Sequence, residues 1–213
     1  MNQEIRTNIT SLVFAVVCVV LYFFFPINAY KFEIFVGTLI FLLLLPILYT
    51  KLILHKTYTD IGFTSMTLQV RDVLFIFMSI ILGGLFSFII VSVGWGVEEY
   101  AQILSKTIFT HFGAFAIYEL FFSSIMLFLF TFFSWGFVYS FKCENKIYTY
   151  IISLIIFTVF LINFYANIWI VLPLLIPAFF VPQIRDKKNI IYIFIAIFII
   201  NLILDTLIIK SFS

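Results

Sequence analysis

Long apolar runs separated by short polar segments dominate this chain. A helix needs about 20 apolar residues to cross the hydrocarbon core of a bilayer, and most of the runs approach that length. The pattern predicts an all-α, polytopic integral membrane protein with about seven transmembrane helices. The predicted spans are Ile9–Phe25, Phe32–Tyr49, Val73–Trp95, Leu120–Phe141, Ile147–Asn163, Ile168–Pro182 and Asn189–Ile209.

The sixth predicted span is short and contains Pro173, Pro177 and Pro182. A kinked helix and a re-entrant hairpin both fit this pattern, because proline removes a backbone donor and bends a helix. We interpret it as a crossing, since the charge asymmetry described next weakens if it is not.

The positive charges are distributed unevenly between the two sides of the predicted bundle. If the spans alternate in direction, one side carries nine of the twelve lysines and arginines: Arg6, Lys51, Lys56, Arg71, Lys142, Lys146, Arg185, Lys187 and Lys188. The other side carries Lys31, Lys106 and Lys210. Short cytoplasmic loops are enriched in Lys and Arg, so the N-terminus is predicted inside and the C-terminus outside.

Composition excludes a water-soluble globule. The 213 residues are 64% hydrophobic and 10% charged, with a mean hydropathy of +1.23, which leaves too little polar surface for water. The net charge of +2 comes from short loops, so no nucleic-acid partner is predicted. Cys18 and Cys143 form no metal or disulfide motif, and neither a cofactor nor a metal is predicted. We expect a single transmembrane domain, residues 1–213, in the lipid bilayer of the cell membrane.

Two connections are long enough to carry structure. The inner one, residues 51–72, contains an Ile61-Gly62-Phe63 turn. The outer one, residues 96–119, places polar side chains at spacings of three or four and apolar side chains largely opposite. This spacing predicts an amphipathic helix lying on the membrane surface.

Three stretches in the later spans have a shared spacing of small and aromatic residues: 130–137 (FTFFSWGF), 157–161 (FTVFL) and 201–205 (NLILD). Together with the inner turn and the outer segment, they resemble the CAAX-protease and bacteriocin-processing (CPBP, or Abi) intramembrane proteases over about residues 57–213. That family carries Glu-Glu-x-x-x-Arg-Gly, Phe-x-x-x-His and His-x-x-x-Asn in these places. The positions that match its functional residues are Phe130, Thr131, Trp135, Leu161, Asn201 and Asp205.

The resemblance therefore implies a degenerate member without the catalytic acids and histidines. Thr131, Leu161 and Asn201 lie 11, 15 and 13 residues from the cytoplasmic lysine of their own span. At about 1.5 Å per residue they are predicted to share one layer. A competing register places residues 118–124 (YELFFSS) on the first motif and retains Glu119, but at the outer end of the helix, too far from the other two motifs, one of which begins at Asn201. We prefer the first register.

Few residues in the predicted spans could perform acid–base chemistry. The two histidines, His55 and His111, lie outside them, so a two-histidine intramembrane site is excluded. Glu98 and Glu99 could bind a cation together with His111 or Glu119, but a solvated loop face is the favoured interpretation. Hydrolysis in a membrane needs a polarised water, and a pseudoprotease is the expected class.

Asp205 is the strongest single candidate. A carboxylate at the centre of a transmembrane helix costs about 2.5 to 3.5 kcal/mol on insertion scales. Asn201, one turn earlier, shares its face, and Asn163 could complete a polar intramembrane site. The structural alternative places Asp205 near the outer interface, where water or a bond to Asn163 or Asn167 satisfies it.

These observations favour a non-catalytic, protease-like membrane scaffold that binds a partner protein or peptide in a remodelled cavity. The resemblance implies a role in bacteriocin immunity, peptide maturation or cell-envelope regulation. The alternative is a membrane subunit of a transporter, such as an ABC permease component that pairs with an ATPase through residues 51–72. An enzyme that uses Glu119 or Asp205 by another mechanism is a third hypothesis.

Overall fold

The computed structural model describes residues 3–25, 31–63, 69–105, 112–141, 146–185 and 190–212. Within these ranges the regular structure is helical, which confirms the predicted all-α class. The uninterrupted helices include α3 (Val70–Val93), α4 (Val97–Ser105), α6 (Lys146–Tyr165) and α8 (Ile190–Phe212). The first helix, α1, is Gln3–Phe24, and the proline-containing helix, α7, is Ile168–Arg185.

Two further helices contain wider turns. Helix α2 runs through Lys31–Leu39, a π-helical turn at Ile40–Leu44, and Leu45–Leu52. Helix α5 consists of Phe112–Ile117, π-helical Tyr118–Ser123, Ser124–Thr131, π-helical Phe132–Phe137 and a final 3-10 turn, Val138–Ser140. A separate 3-10 turn, Tyr58–Ile61, lies in the inner connection.

Within the described ranges, five helices are long and apolar enough to cross a membrane. They contain the stretches Glu33–Leu52, Val70–Val93, Gly113–Ser140, Lys146–Tyr165 and Ile190–Ser211. Two shorter apolar helices, Ile9–Phe24 and Ile168–Pro182, accompany them. Large apolar side chains such as Phe77, Leu85 and Phe88 are exposed, as expected for surfaces that contact lipid tails.

Ring contacts establish the relative directions of the helices. Phe75 of α3 lies 6.0 Å from Phe180 of α7, and at the other end the Trp95 and Trp169 rings are 4.7 Å apart. The two helices are therefore antiparallel.

Helices α5 and α8 are antiparallel in the same way. The Phe128 and Phe194 rings are 5.5 Å apart, and a Cβ on Gly136 would lie 3.3 Å from the Ile190 side chain. Helix α1 is antiparallel to α5 as well, because Tyr22 contacts Phe130 whereas the earlier Phe14 contacts the later Phe137. Three pairs of helices, α1–α5, α3–α7 and α5–α8, are thus antiparallel.

A close approach joins α3 and α8. A Cβ on Gly83 would collide with the Ile200 side chain, while one on the next residue, Gly84, would meet Ile203 at an ordinary 3.6 Å. The missing side chain of Gly83 lets the two helices pack closely, as small residues do in membrane bundles. At the inner end, the Ile190 amide donates to the Gly62 carbonyl at 3.2 Å, which attaches the inner turn to the start of α8.

Two expectations about the outer segment and the sixth span need correction. Helix α7 is continuous through its three prolines, so the re-entrant hairpin is wrong. The predicted surface helix over residues 96–119 is wrong in its second half, because α5 already begins at Phe112. Among the described residues before Phe112, the predicted helix corresponds to α4, which is joined to α3 through Gly94 and Gly96, whose φ values of 76° and 66° favour glycine.

Candidate functional site

A buried polar cluster lies where α5, α6 and α8 meet. Asn201 Nδ2 donates to Glu119 Oε2 at 2.8 Å, to Ser123 Oγ at 3.1 Å and to Asp205 Oδ2 at 3.3 Å. The Tyr165 hydroxyl donates to Asn201 Oδ1 at 2.5 Å. Asn201 and Asp205 are 0% exposed and Glu119 is 1% exposed, so the cluster is shielded from the surroundings of the bundle.

Helical spacing assembles this acidic cluster, defined as Glu119, Ser123, Tyr165, Asn201 and Asp205. Asn201 and Asp205 are four residues apart and therefore share one face of α8. Glu119 and Ser123 are also four apart and lie in the π-helical turn Tyr118–Ser123. The wider turn keeps both side chains on the face of α5 that contacts α8, and such turns are common at functional sites.

Helix α4 covers the outer side of the acidic cluster with Tyr100. The Tyr100 side chain is 4% exposed, and its ring lies 5.6 Å from that of Tyr165. Burial, reinforced by the nearby Asp205 carboxyl group, raises the pKa of the Tyr100 phenol well above its ordinary value. Tyr100 therefore stays protonated and offers a hydrogen-bond donor beside Asp205.

Three oxygen atoms in and above the cluster lack a hydrogen-bond partner among the described residues: Glu119 Oε1, Asp205 Oδ1 and Tyr100 Oη. Within the same ranges, no lysine, arginine or histidine is bonded to either carboxyl group. Buried carboxyl groups ordinarily have a counter-charge or a full set of hydrogen bonds. The acidic cluster is consequently suited to bind positive charge.

The acidic cluster combines two carboxyl groups with an amide. The described residues contain no group of three or more His, Cys, Asp and Glu side chains that could hold a metal ion. An amide, Asn201, occupies the central position, and an amide is not a general base. A carboxyl pair with an amide between them can hold a proton or a small cation.

Glu119 does not lie where the preferred register requires. The expectation that it is too far from Asn201 is wrong, because the two side chains are hydrogen-bonded. The error concerns the outer boundary of α5. Glu119 lies inside this helix and not at its end, and its side chain faces the neighbouring helices. Glu119 is the acid that the competing register retains.

The predicted common layer of Thr131, Leu161 and Asn201 is not formed. Thr131 lies on α5 between Phe128 and Gly136, which contact Phe194 and Ile190 of α8. It therefore faces the first turns of α8, well below Asn201. Its hydroxyl donates instead to the Leu127 carbonyl of its own helix at 2.7 Å.

The other degenerate positions are part of the apolar core. Phe130, Trp135 and Leu161 are completely buried, and the Phe130 ring stacks on Phe160 at 5.2 Å. Trp135 packs against Phe157 at 6.1 Å. Side chains thus occupy the region in which the preferred register places a remodelled cavity.

Neither asparagine expected near Asp205 reaches it. Asn163 donates to the Tyr22 hydroxyl at 3.4 Å, and Asn167 donates to the Gly96 carbonyl at 3.0 Å. The inclusion of Asn163 in a site with Asn201 and Asp205 is therefore wrong, as is a wetted Asp205.

The outer-face carboxylates also separate. Glu98 is exposed on α4, whereas Glu119 points into the bundle, so the two do not form one site. The side chain of Glu99 and all of His111 lie outside the described residues.

Sequence reasoning missed Ser123, Tyr165 and Tyr100. Ser123 could have been found from its spacing of four from Glu119. Tyr165 and Tyr100 resemble ordinary membrane aromatics, and their chain positions give no signal of the contact with Asn201 and Asp205.

No protein-family model, curated protein or solved structure matches the chain, and the resemblance to CPBP proteases stays a prediction.

Proposed function

We propose that the chain is a multi-pass protein of the cell membrane in which α1, α2, α3, α5, α6, α7 and α8 all cross, with the N-terminus cytoplasmic. Support comes from the three antiparallel helix pairs and from α7, which extends along α3 from the Phe75–Phe180 contact to the Trp95–Trp169 contact. The two tryptophans then lie at the outer interface, where such side chains are enriched. Lys51, Arg71 and Lys146 lie at the opposite, cytoplasmic end.

Within that membrane class, we propose a non-hydrolytic scaffold that binds a membrane or envelope protein, or a peptide. The supporting observation is that packed side chains fill the positions that the preferred register matches to the family's catalytic residues, with Phe130, Trp135 and Leu161 completely buried. A peptide bond and a water molecule have no polarising base at this place. Because the interior is filled, the partner binds at the outer surface of the bundle and not in an internal cavity.

Two measurements test the scaffold. Purified protein should cleave neither leader peptides nor prenylated peptides, and Glu119→Gln should behave in the same way. Affinity purification in mild detergent should recover a stoichiometric envelope protein or peptide. Turnover that Glu119→Gln abolishes would replace the scaffold with an enzyme.

The second candidate is a membrane subunit of a transporter, and the acidic cluster is the observation that favours it. Ionisable residues inside membrane bundles commonly mark ion and substrate paths. An ABC permease component would copurify with an ATPase, and loss of the inner turn around Ile61 should release that ATPase. A scaffold should not copurify with an ATPase.

A further inference from the structure

We propose that Glu119 and Asp205 together bind one exchangeable proton and form a proton-binding site facing the α4 end of the bundle. The first observation is their shared donor. One nitrogen, Asn201 Nδ2, is bonded to both carboxyl groups, and the two groups also lie within hydrogen-bonding reach of each other. Two carboxylates have no hydrogen to share, so this proximity becomes a bond when one of them takes up a proton.

Electrostatics favours the same occupant. Two negative charges this close in apolar surroundings repel strongly, and a single proton removes the repulsion and converts an acceptor into a donor. Glu119 Oε1 and Asp205 Oδ1 are the atoms that lack partners. A proton adds almost no volume, which suits a cluster whose members are completely packed.

The groups that face the pair supply no competing positive charge. They are Tyr100 from α4, Tyr118 from α5 and Tyr165 from α6. On α3 the charged side chains, Arg71 and Asp72, lie in the first turn at the opposite end. Among the described residues, the charge on the pair is therefore balanced by a proton and not by a basic side chain.

Tyr100 is an independent observation that points to a ligand. It is almost completely buried, its hydroxyl lacks a partner that meets hydrogen-bond geometry, and it is directed toward Asp205. Exposed Glu98 and Gln102 occupy the opposite side of the same short helix. Helix α4 therefore separates the pair from the outer end, and a proton from solvent reaches Asp205 beside Tyr100. The step is an acid–base exchange in which a hydronium ion gives its proton to a carboxylate oxygen and leaves as water.

Infrared spectroscopy of the purified protein in lipid nanodiscs tests the site without any partner protein. At neutral pH the wild type should show the C=O stretching band of a protonated carboxyl group, and the band should shift in D₂O. Glu119→Gln and Asp205→Asn should each remove or displace it, whereas the matched control Glu98→Gln should leave it unchanged. A missing band, or a band that both variants retain unaltered, overturns the proposal.

Tyr100→Phe provides a second readout if the carboxyl variants fail to fold. Loss of the phenol should move the C=O band to higher frequency, because the hydroxyl group that can donate to the protonated carboxyl group is removed, while Tyr148→Phe at an exposed position should not. An unshifted band in folded Tyr100→Phe contradicts the assigned exchange path and the site with it.

Discussion

Tyr165 orients the side-chain amide of Asn201. Its hydroxyl donates to Asn201 Oδ1 at 2.5 Å, and this contact turns Nδ2 toward the two carboxyl groups. The orientation of the amide is therefore set by a residue on a third helix. Glu119 and Asp205 receive a donor only because Tyr165 satisfies the oxygen.

Tyr165→Phe should destabilise the protein by about 1 to 3 kcal/mol, since a buried carbonyl oxygen loses its partner. The measurement is denaturant-induced unfolding of the detergent-solubilised protein followed by circular dichroism. Tyr148→Phe serves as the control, because Tyr148 is 64% exposed. Equal unfolding free energies for both variants would contradict the orienting role.

Asp205→Asn and Asp205→Leu should differ in stability. Asparagine keeps the shape of the side chain and most of its hydrogen bonds, so we expect less than about 1 kcal/mol of lost stability. Leucine offers no hydrogen-bonding group to Asn201 and Glu119, and we expect the free energy of unfolding to fall by about 2 to 4 kcal/mol. Comparable unfolding midpoints for the two variants would mean that Asp205 has no structural role in the cluster.

Gly83→Ala and Gly84→Ala should have opposite effects. At Gly83 the added methyl group collides with Ile200, and overpacking costs about 1 to 3 kcal/mol. At Gly84 the methyl group finds an ordinary contact of 3.6 Å to Ile203, and helix propensity favours alanine by about 0.5 to 1 kcal/mol. Thermal unfolding in the same detergent distinguishes the two. A stabilising Gly83→Ala variant would contradict the close packing of α3 on α8.

A reporter fused after Ser213 should be extracytoplasmic, and one inserted near Asn145 should be cytoplasmic. This expectation follows from the seven crossings that we propose and from the nine-to-three distribution of positive charges. Alkaline phosphatase and green fluorescent protein fusions measure the two sides in opposite senses. Both reporters on one side would mean that α7 does not cross.

The sequence was sufficient to predict the helices because each apolar run is bounded by charged or turn-forming residues. It failed at Glu119 for a physical reason. The polar residues between Gly96 and Glu119 have amphipathic spacing, and this spacing does not reveal that α5 resumes at Phe112. Depth counted at a constant rise per residue also ignores the π-helical turns of α5 and the tilt of one helix against another.

Half of the acidic cluster could be predicted from the sequence. The spacing of Asn201 and Asp205 predicts that both lie on one face of α8. It does not predict which residues of α5 contact that face, because α5 is almost uniformly apolar. Asn163 and Asn167 were plausible partners by position. They are instead bonded to Tyr22 and to the Gly96 carbonyl, contacts that join distant parts of the chain and have no local signal.

The hydrogen bond between Glu119 and Asn201 has a consequence for assembly. Helices rich in Ile, Phe and Leu can slip along one another with little change in packing, since apolar side chains replace one another at the contact. A slip of one helical turn, about 5.4 Å, would separate the two side chains and leave a carboxyl group in hydrocarbon. The polar contact therefore penalises every misaligned arrangement of α5 and α8 and selects a single one during insertion and folding.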